Sequence, residues 1–375
     1  MKRGDNVKTI EYFPWSEFVL NESIIELKKG VLPCLDIELS GICDLIKVTG
    51  GCIYCDSYSQ INDNYTNELK LDEIIQIIKD GKKLGVRWVY ICGLGEPLND
   101  PKFFDIISFL RKLNINVSLF SNGIYITEKN IDFLFQHSVN LILKCDSLDS
   151  YVFNKILGGK NAEEHKLAQK ICTTITKLLE HGYSSNPNNP SLAVSIVPTK
   201  YNITHIPSLL EFCLNNNIFP LVGELECAGR AKKIYSILCP TNEQLKELHK
   251  SLKKILGEDY KIPICPAAVA GLHLNNIGDV IIHKDTGINC GWFSLREPEM
   301  VTIGNIRTTS LRVLFEKVQN YRKNLYDSSN LRHWIKKYQF NESKLIFGGC
   351  GGKMLTKYFL GIMTKIYGTN GGGNK

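Results

Sequence analysis

Cys43, Cys52 and Cys55 share one thirteen-residue stretch, CDLIKVTGGCIYC. Thiolates crowded on a loop suit a soft metal or an iron–sulfur cluster. A fourth ligand would complete zinc or an ordinary cluster, and Cys34 is the one local candidate. It falls inside an apolar run. Three ligands leave one corner of the metal open, which implies chemistry rather than structure. A lone Cys-x-x-Cys also fits a structural zinc site completed by a distant residue.

Other chemistry-bearing stretches are Gly93-Leu94-Gly95-Glu96-Pro97, Ser121-Asn122-Gly123, Asp146-Ser147 with Gly158-Gly159, and Asn202. Glycine lets backbone approach a ligand closely, and Glu96 offers an acceptor to a cation. Each stretch alone reads as a turn. A second cysteine set lies beyond residue 225: Cys227, Cys239, Cys265, Cys290 and Cys350. Glycines beside Cys290 and Cys350 would let backbone wrap a cluster. Buried free cysteines are the plainer account of this set. Cys92, Cys145, Cys172 and Cys213 lie on apolar faces and read as packing, with Cys145 adjoining Asp146.

The elements that must position these residues follow from periodicity. Apolar runs at 32–38, 86–92, 117–120, 141–144, 192–197 and 219–222 read as buried strands. Between them run helical patterns, such as Leu71, Ile74, Ile75 and Ile78. Asp100 and Pro101 read as the cap and first-turn proline of a helix. Asn161 and Glu164 read as a capping box for a long helix from 162 with the stripe Leu167, Ile171, Ile175 and Leu178. Six alternations between 31 and 225 argue a parallel sheet with helices outside, either an open partial barrel or a doubly wound sheet. The cysteine loop then sits at the C-terminal end of the first strand, where α/β active sites lie. After 225 the rhythm breaks. Thr241 and Gln244 cap a helix, and short strands at 271–275 and 279–283 are joined by Asn276, Ile277 and Gly278. This reads as a small α+β appendage.

The chain has 375 residues, 43% of them hydrophobic, and a net charge of +7. That composition fits a globular protein and excludes whole-chain disorder. No basic run points to nucleic acid. No apolar run approaches the roughly 18 residues that span a bilayer. The N-terminus lacks an apolar signal core, so a cytoplasmic, reducing compartment is expected for its 13 cysteines.

In order and spacing these motifs resemble the radical S-adenosylmethionine (SAM) superfamily over about residues 30–225. Its usual loop is Cys-x3-Cys-x2-Cys with an aromatic residue before the last cysteine, the place of Tyr54. Here eight residues separate Cys43 from Cys52, and the insert KVTGG is expected to bulge without removing a ligand. Gly93, Gly95 and Glu96 resemble the segment that binds the SAM amino group. Ser121 and Asn122, Asp146 and Asn202 match further SAM-facing positions. The resemblance implies a partial (β/α)6 TIM-like barrel. It implies a 4Fe–4S cluster on Cys43, Cys52 and Cys55 that chelates SAM through its open iron. One-electron reduction then cleaves SAM to a radical that abstracts a substrate hydrogen atom. A flavodoxin or ferredoxin would supply the electron.

The later cysteines resemble the SPASM/twitch extension, which binds auxiliary iron–sulfur clusters. The resemblance implies a twitch-like α+β domain over 226–355, after an extension at 1–30 and the barrel at 31–225, with a tail at 356–375. One auxiliary cluster is expected on Cys265, Cys290 and Cys350, with Cys227 or Cys239 as fourth ligand or the corner open. The implied substrate is a peptide or protein side chain, or else a small molecule such as an aminosugar. Only about 30 residues precede the first strand, too few for the leader-binding domain of about 80 that many peptide maturases carry. Gly291, after Cys290, replaces the acid of sulfatase-maturing members. Arg230, Lys232, Lys233 and Arg296 read as solvated surface or as contacts to an acidic substrate. A zinc-binding, non-catalytic α/β protein is the reading from another class.

Overall fold

The computed structural model describes residues 25–55, 67–186, 191–223, 225, 227, 229–257, 270–283, 289 and 300–324. Seven strands form one parallel sheet in the order β6-β5-β4-β3-β2-β1-β7. They are β1 (Cys34–Glu38), β2 (Trp88–Cys92), β3 (Asn116–Ser121), β4 (Val139–Lys144), β5 (Leu192–Ile196), β6 (Phe219–Val222) and β7 (Leu272–Leu274). Sequential strands neighbour one another because each crossover carries a helix that covers the pair it joins. This is the expected partial-barrel architecture.

The crossover helices are α1 (Asp44–Thr49), α2 (Leu71–Lys83), α3 (Phe103–Lys112), α4 (Glu128–Gln136), α5 (Ser150–Leu157), α6 (Lys160–Glu164), α7 (Leu167–Glu180) and α8 (Ile206–Asn215). Their apolar stripes bury against the outer face of the sheet, as with Ile74, Ile77 and Ile78 of α2. Cys145 and Cys213 are fully buried in that layer. A separate small cluster fills the inner face: Cys34, Tyr90, Ile142, Ala193, Phe219 and Leu221.

Beyond β6 come α9 (Ala231–Leu238), α10 (Asn242–Leu256), β8 (Asp279–His283), β9 (Met300–Asn305) and α11 (Leu311–Asn324). Thr241 and Gln244 do form a reciprocal capping box on α10. The strands expected at 271–275 and 279–283 are present at 272–274 and 279–283, and they join different sheets. β7 pairs in parallel with β1, Asp36 facing His273, while β8 pairs antiparallel with β9. The sheet had an unpaired edge at β1, and a row of free backbone groups favours recruiting a strand. Asn289 closes the new edge, its side chain accepting from His273 N and donating to the His273 and Ile281 carbonyls.

Two helix starts differ from the sequence reading. α3 begins at Phe103, two residues past Pro101, while the Asp100 carboxylate accepts from Lys102 N (2.8 Å), as a cap does, and also from Ser40 N (2.9 Å). Asn161 and Glu164 form no capping box. They lie inside α6, and Lys166, left-handed at φ 52°, separates it from α7. The stripe Leu167, Ile171, Ile175 and Leu178 is buried as expected.

Arg307, after β9, grips the start of α2. It donates to Glu73 through Nε (2.6 Å) and Nη2 (2.9 Å) and to the carbonyls of Asn67 and Glu68. The Arg307 hydrogen bonds pull the Glu73 carboxyl from 4.5 down to about 2. A lowered carboxyl adds stability above its unfolded value and loses it as pH falls through its folded value. Water screens so exposed a pair, so Glu73→Gln should cost about 1 kcal/mol at pH 7. The gap to wild type should shrink below pH 4.5 and vanish near pH 2. Urea unfolding across pH reads it; a gap constant down to pH 2 would contradict the assignment.

Candidate active site

The cysteine loop leaves the C-terminal end of β1 and is pinned from several sides. The insert does not bulge. It folds into α1, with Cys43 extended at its N-cap and Gly50 left-handed at its C-cap (φ 79°). Thr49 Oγ1 donates to the Leu157 carbonyl, and Ile53 N to the Ile156 carbonyl, so the end of α5 carries the loop. Glu68 Oε1 accepts from Gly41 N (3.0 Å). Asn99 donates to Asp44. Arg230, read from sequence as surface, donates from Nη1 to the Gly51 carbonyl (2.7 Å) and from its backbone N to the Cys55 carbonyl (3.0 Å).

Cys52 is buried, while Cys43 and Cys55 are partly exposed. Burial pushes the Cys43 thiol far up, and Cys52 and Cys55 push it further. Burial likewise lifts Cys52 to about 11, against the pull of Lys144 and Arg230. Each thiol thus feels the others. Among the described residues no three His, Cys, Asp or Glu side chains converge on one ion. A four-iron cluster would take the three thiolates on three separate irons, and so would not need them to converge on one ion.

The GLGEP turn packs onto this loop. A Cβ at Gly95 would stand 2.3 Å from the Ile42 carbonyl oxygen and 2.5 Å from that of Ser40. Gly95 is therefore required by the chain's own close approach, and Glu96 N seals it with a bond to the Ile42 carbonyl (2.8 Å). Gly93 ends β2 against the Glu38 side chain. The Glu96 carboxylate is buried and accepts from Ser121 Oγ (2.8 Å), Asn122 N (2.7 Å) and Leu98 N (3.3 Å). Burial still lifts it to about 7 despite those donors. Asn122 Nδ2 beside it is buried with no partner. A buried carboxylate short of a cation and an orphaned amide together fit the ammonium and carboxylate of an amino acid.

Asp146 is fully buried, follows β4, and accepts from Tyr54 Oη, Val197 N (2.9 Å) and Lys144 Nζ. Asn202 is spent on the chain itself: Nδ2 donates to the Asp146 and Val197 carbonyls, and Oδ1 accepts from Thr199. It positions Asp146 rather than facing the mouth. Cys227 is exposed, and Cys239 is half-buried at the end of α9 with its thiol on the Pro240 carbonyl. Cys265, Cys290 and Cys350 lie outside the described residues, as do Gly291 and Arg296.

Sequence reasoning missed three groups. Lys144 carried no motif. Arg230 gave no sign of its partner 179 residues away. The third is a buried set on the inner face: His273 Nδ1 lies 3.0 Å from Asp36 and its Nε2 3.5 Å from Glu38. The Cys92 thiol, expected only to pack, donates to Asp36 (3.0 Å). Alternating polar residues in strands that also bury apolar ones were the available signal.

With three thiols, an acceptor for an ammonium and a parallel sheet in place, the family comparison is decisive. Residues 38–213 match the family described as the Radical SAM superfamily. This segment is similar to radical SAM domains. The chain is 25% identical over 199 residues to the tungsten-containing aldehyde ferredoxin oxidoreductase cofactor-modifying protein of Pyrococcus furiosus, covering 51% of this chain and 52% of that protein. It is 24% identical over 257 residues to the mycofactocin maturase of Mycolicibacterium smegmatis, covering 66% and 60%. The chain thus spans between half and two thirds of these relatives' length. Its fold is shared with Streptococcus suis SuiB bound to precursor peptide SuiA, at TM-score 0.54 and 18% identity over 83% of this chain and 70% of that one. A radical SAM domain implies a 4Fe–4S cluster and SAM. Among the described residues no helix is long and apolar enough to cross a membrane.

Gly95→Ala should destabilise the radical SAM domain by about 3 kcal/mol, the upper end for overpacking, because backbone atoms cannot yield as side chains do. Urea unfolding reads it, and a loss below about 0.5 kcal/mol would contradict the close approach.

Proposed function

We propose that this chain is a radical SAM enzyme that modifies a peptide or protein side chain by crosslinking, thioether formation or oxidation. The observation that carries the chemistry is the pairing of the three-thiol loop with the buried Glu96–Asn122 site. Cys43, Cys52 and Cys55 would hold a four-iron cluster. When bound, cluster and SAM together supply one-electron reductive cleavage and hydrogen-atom abstraction.

The chain's own residues do the positioning. Glu96 takes the SAM ammonium, held in place by Ser121 and the Asn122 backbone. Asn122 Nδ2 is the donor left for the carboxylate. Gly93 and Gly95 keep that turn against the cysteine loop, and Asp146, braced by Asn202, faces the ligand from the β4 side. The barrel walls exclude water from the reacting atoms.

The peptide reading is supported by a relative of Gluconobacter oxydans named as a PqqA peptide cyclase. The relative named as a cofactor-modifying protein supports small-molecule chemistry as the second reading. We carry an auxiliary cluster on Cys265, Cys290 and Cys350, completed by Cys227 or Cys239, as part of the proposal. With it go a twitch-like unit from about 226, across which β7 returns to the barrel, a flavodoxin- or ferredoxin-type donor, and a cytoplasmic setting.

Anaerobic reconstitution with iron and sulfide, then dithionite and SAM, tests this. About eight irons per chain and formation of 5′-deoxyadenosine are expected for two four-iron clusters. Cys52→Ala should abolish that product, and a variant that still makes it would sink the assignment. SAM affinity should rise as pH climbs through about 7, because only the ionised Glu96 takes an ammonium. Glu96→Gln should bind SAM at least tenfold more weakly, about 1.4 kcal/mol, with a flat pH profile. Calorimetric titration decides; an unchanged profile would place the ammonium elsewhere.

A further inference from the structure

Lys144 is the last residue of β4 and belongs to its inward-facing series with Asn140 and Ile142. Its side chain is only 16% exposed. The ammonium contacts Tyr54 Oη and Asp146 Oδ2 and stands 4.2 Å from the centre of the Tyr54 ring and 5.9 Å from that of Phe153. Tyr54 lies between Cys52 and Cys55 in sequence, so the ring that carries this cation is part of the cysteine loop itself. Burying a lysine is costly unless opposite charge repays it. Asp146 alone does not require it, because Tyr54 Oη and Val197 N already donate to that carboxylate.

We propose that Lys144 sets the electron affinity of the iron–sulfur cluster, its ammonium offsetting the negative charge that gathers on Cys43, Cys52 and Cys55 when they bind iron. The inference rests on the cluster reading of those cysteines and adds to it a residue outside the family's motifs. In a buried setting a unit charge acts strongly on its neighbours. Arg230 is the other cation that reaches this loop. Its guanidinium is already engaged with the Gly51 carbonyl. A cation beside the cluster favours the added electron, and the adjacent Asp146 carboxylate opposes it. Lys144 and Asp146 therefore push the potential in opposite directions, which a purely structural tie between them would not do.

The test is an anaerobic redox titration of the reconstituted full-length chain followed by electron paramagnetic resonance, using the signal that changes on adding SAM. Iron is counted in each sample. Lys144→Met should make that cluster at least tenfold harder to reduce, a shift of about 59 mV to lower potential for one electron. Lys144→Arg should stay close to wild type, and Asp146→Asn should move the potential upward. A Lys144→Met protein with normal iron and wild-type potential overturns the proposal, as do shifts of the same sign in Lys144→Met and Asp146→Asn. Should Lys144→Met fail to load iron, Asp146→Asn decides alone, and no upward shift there overturns the proposal. A wild type that takes up no iron removes the cluster reading, and this inference with it.

Discussion

Three thiols on a loop act as one site only if the loop cannot relax away from them. That constraint organises much of this molecule. The loop from Ser40 to Cys55 is tied to the Asp100 carboxylate, to Glu68, to the end of α5 and to Arg230. The GLGEP turn lies so close beneath it that position 95 has no room for a side chain. These ties come from four separate parts of the chain. No one of them would hold the loop, since an isolated hydrogen bond nets only about 1 kcal/mol against the entropy of ordering its partners. Together they share that cost across a rigid sheet end.

Charge is arranged around the same loop. Glu96 on one side is a buried carboxylate held by Ser121 Oγ and the backbone N–H groups of Leu98 and Asn122. Asp146 on the other is a buried carboxylate that has a cation, Lys144. The two acids have different partners, and so different tasks follow from one residue type. Deeper in the sheet, His273 between Asp36 and Glu38 binds β7 to β1 through side chains as well as backbone. The segment after β6 is thereby joined to the barrel by a strand, by Arg307 on α2 and by Arg230 on the cysteine loop.

Much of this was legible beforehand, and the failures have physical causes. The six strands and the stripes of α2 and α7 could be read because burial imposes a period on a contiguous stretch. The capping box at Thr241 and Gln244 could be read because both partners lie within one turn. The box expected at Asn161 failed because Lys166 adopts a left-handed conformation that no local propensity signals. The strands at 272–274 and 279–283 were legible, but not their partners: 272–274 pairs with the open edge of β1, more than 230 residues earlier. Asp100 meets Lys102 N as a local cap reading expects, but its second bond, to Ser40 sixty positions away, had no local signal.

The sequence by itself determined the chemistry available: three thiols in one loop, an acid in a glycine turn, and the order of strands that brings them to one end. Those are properties of residue type and local spacing, and local spacing survives any tertiary arrangement. Only the folded structure decided which groups meet. It wound most of the eight residues between Cys43 and Cys52 into a helix, set Lys144 against Tyr54, brought Arg230 onto Gly51, left Asn122 an unused donor and gave Gly95 its steric reason. Each of these is a contact between distant parts of the chain, and such contacts form only when burial of the whole sheet outweighs the entropy of closing long loops.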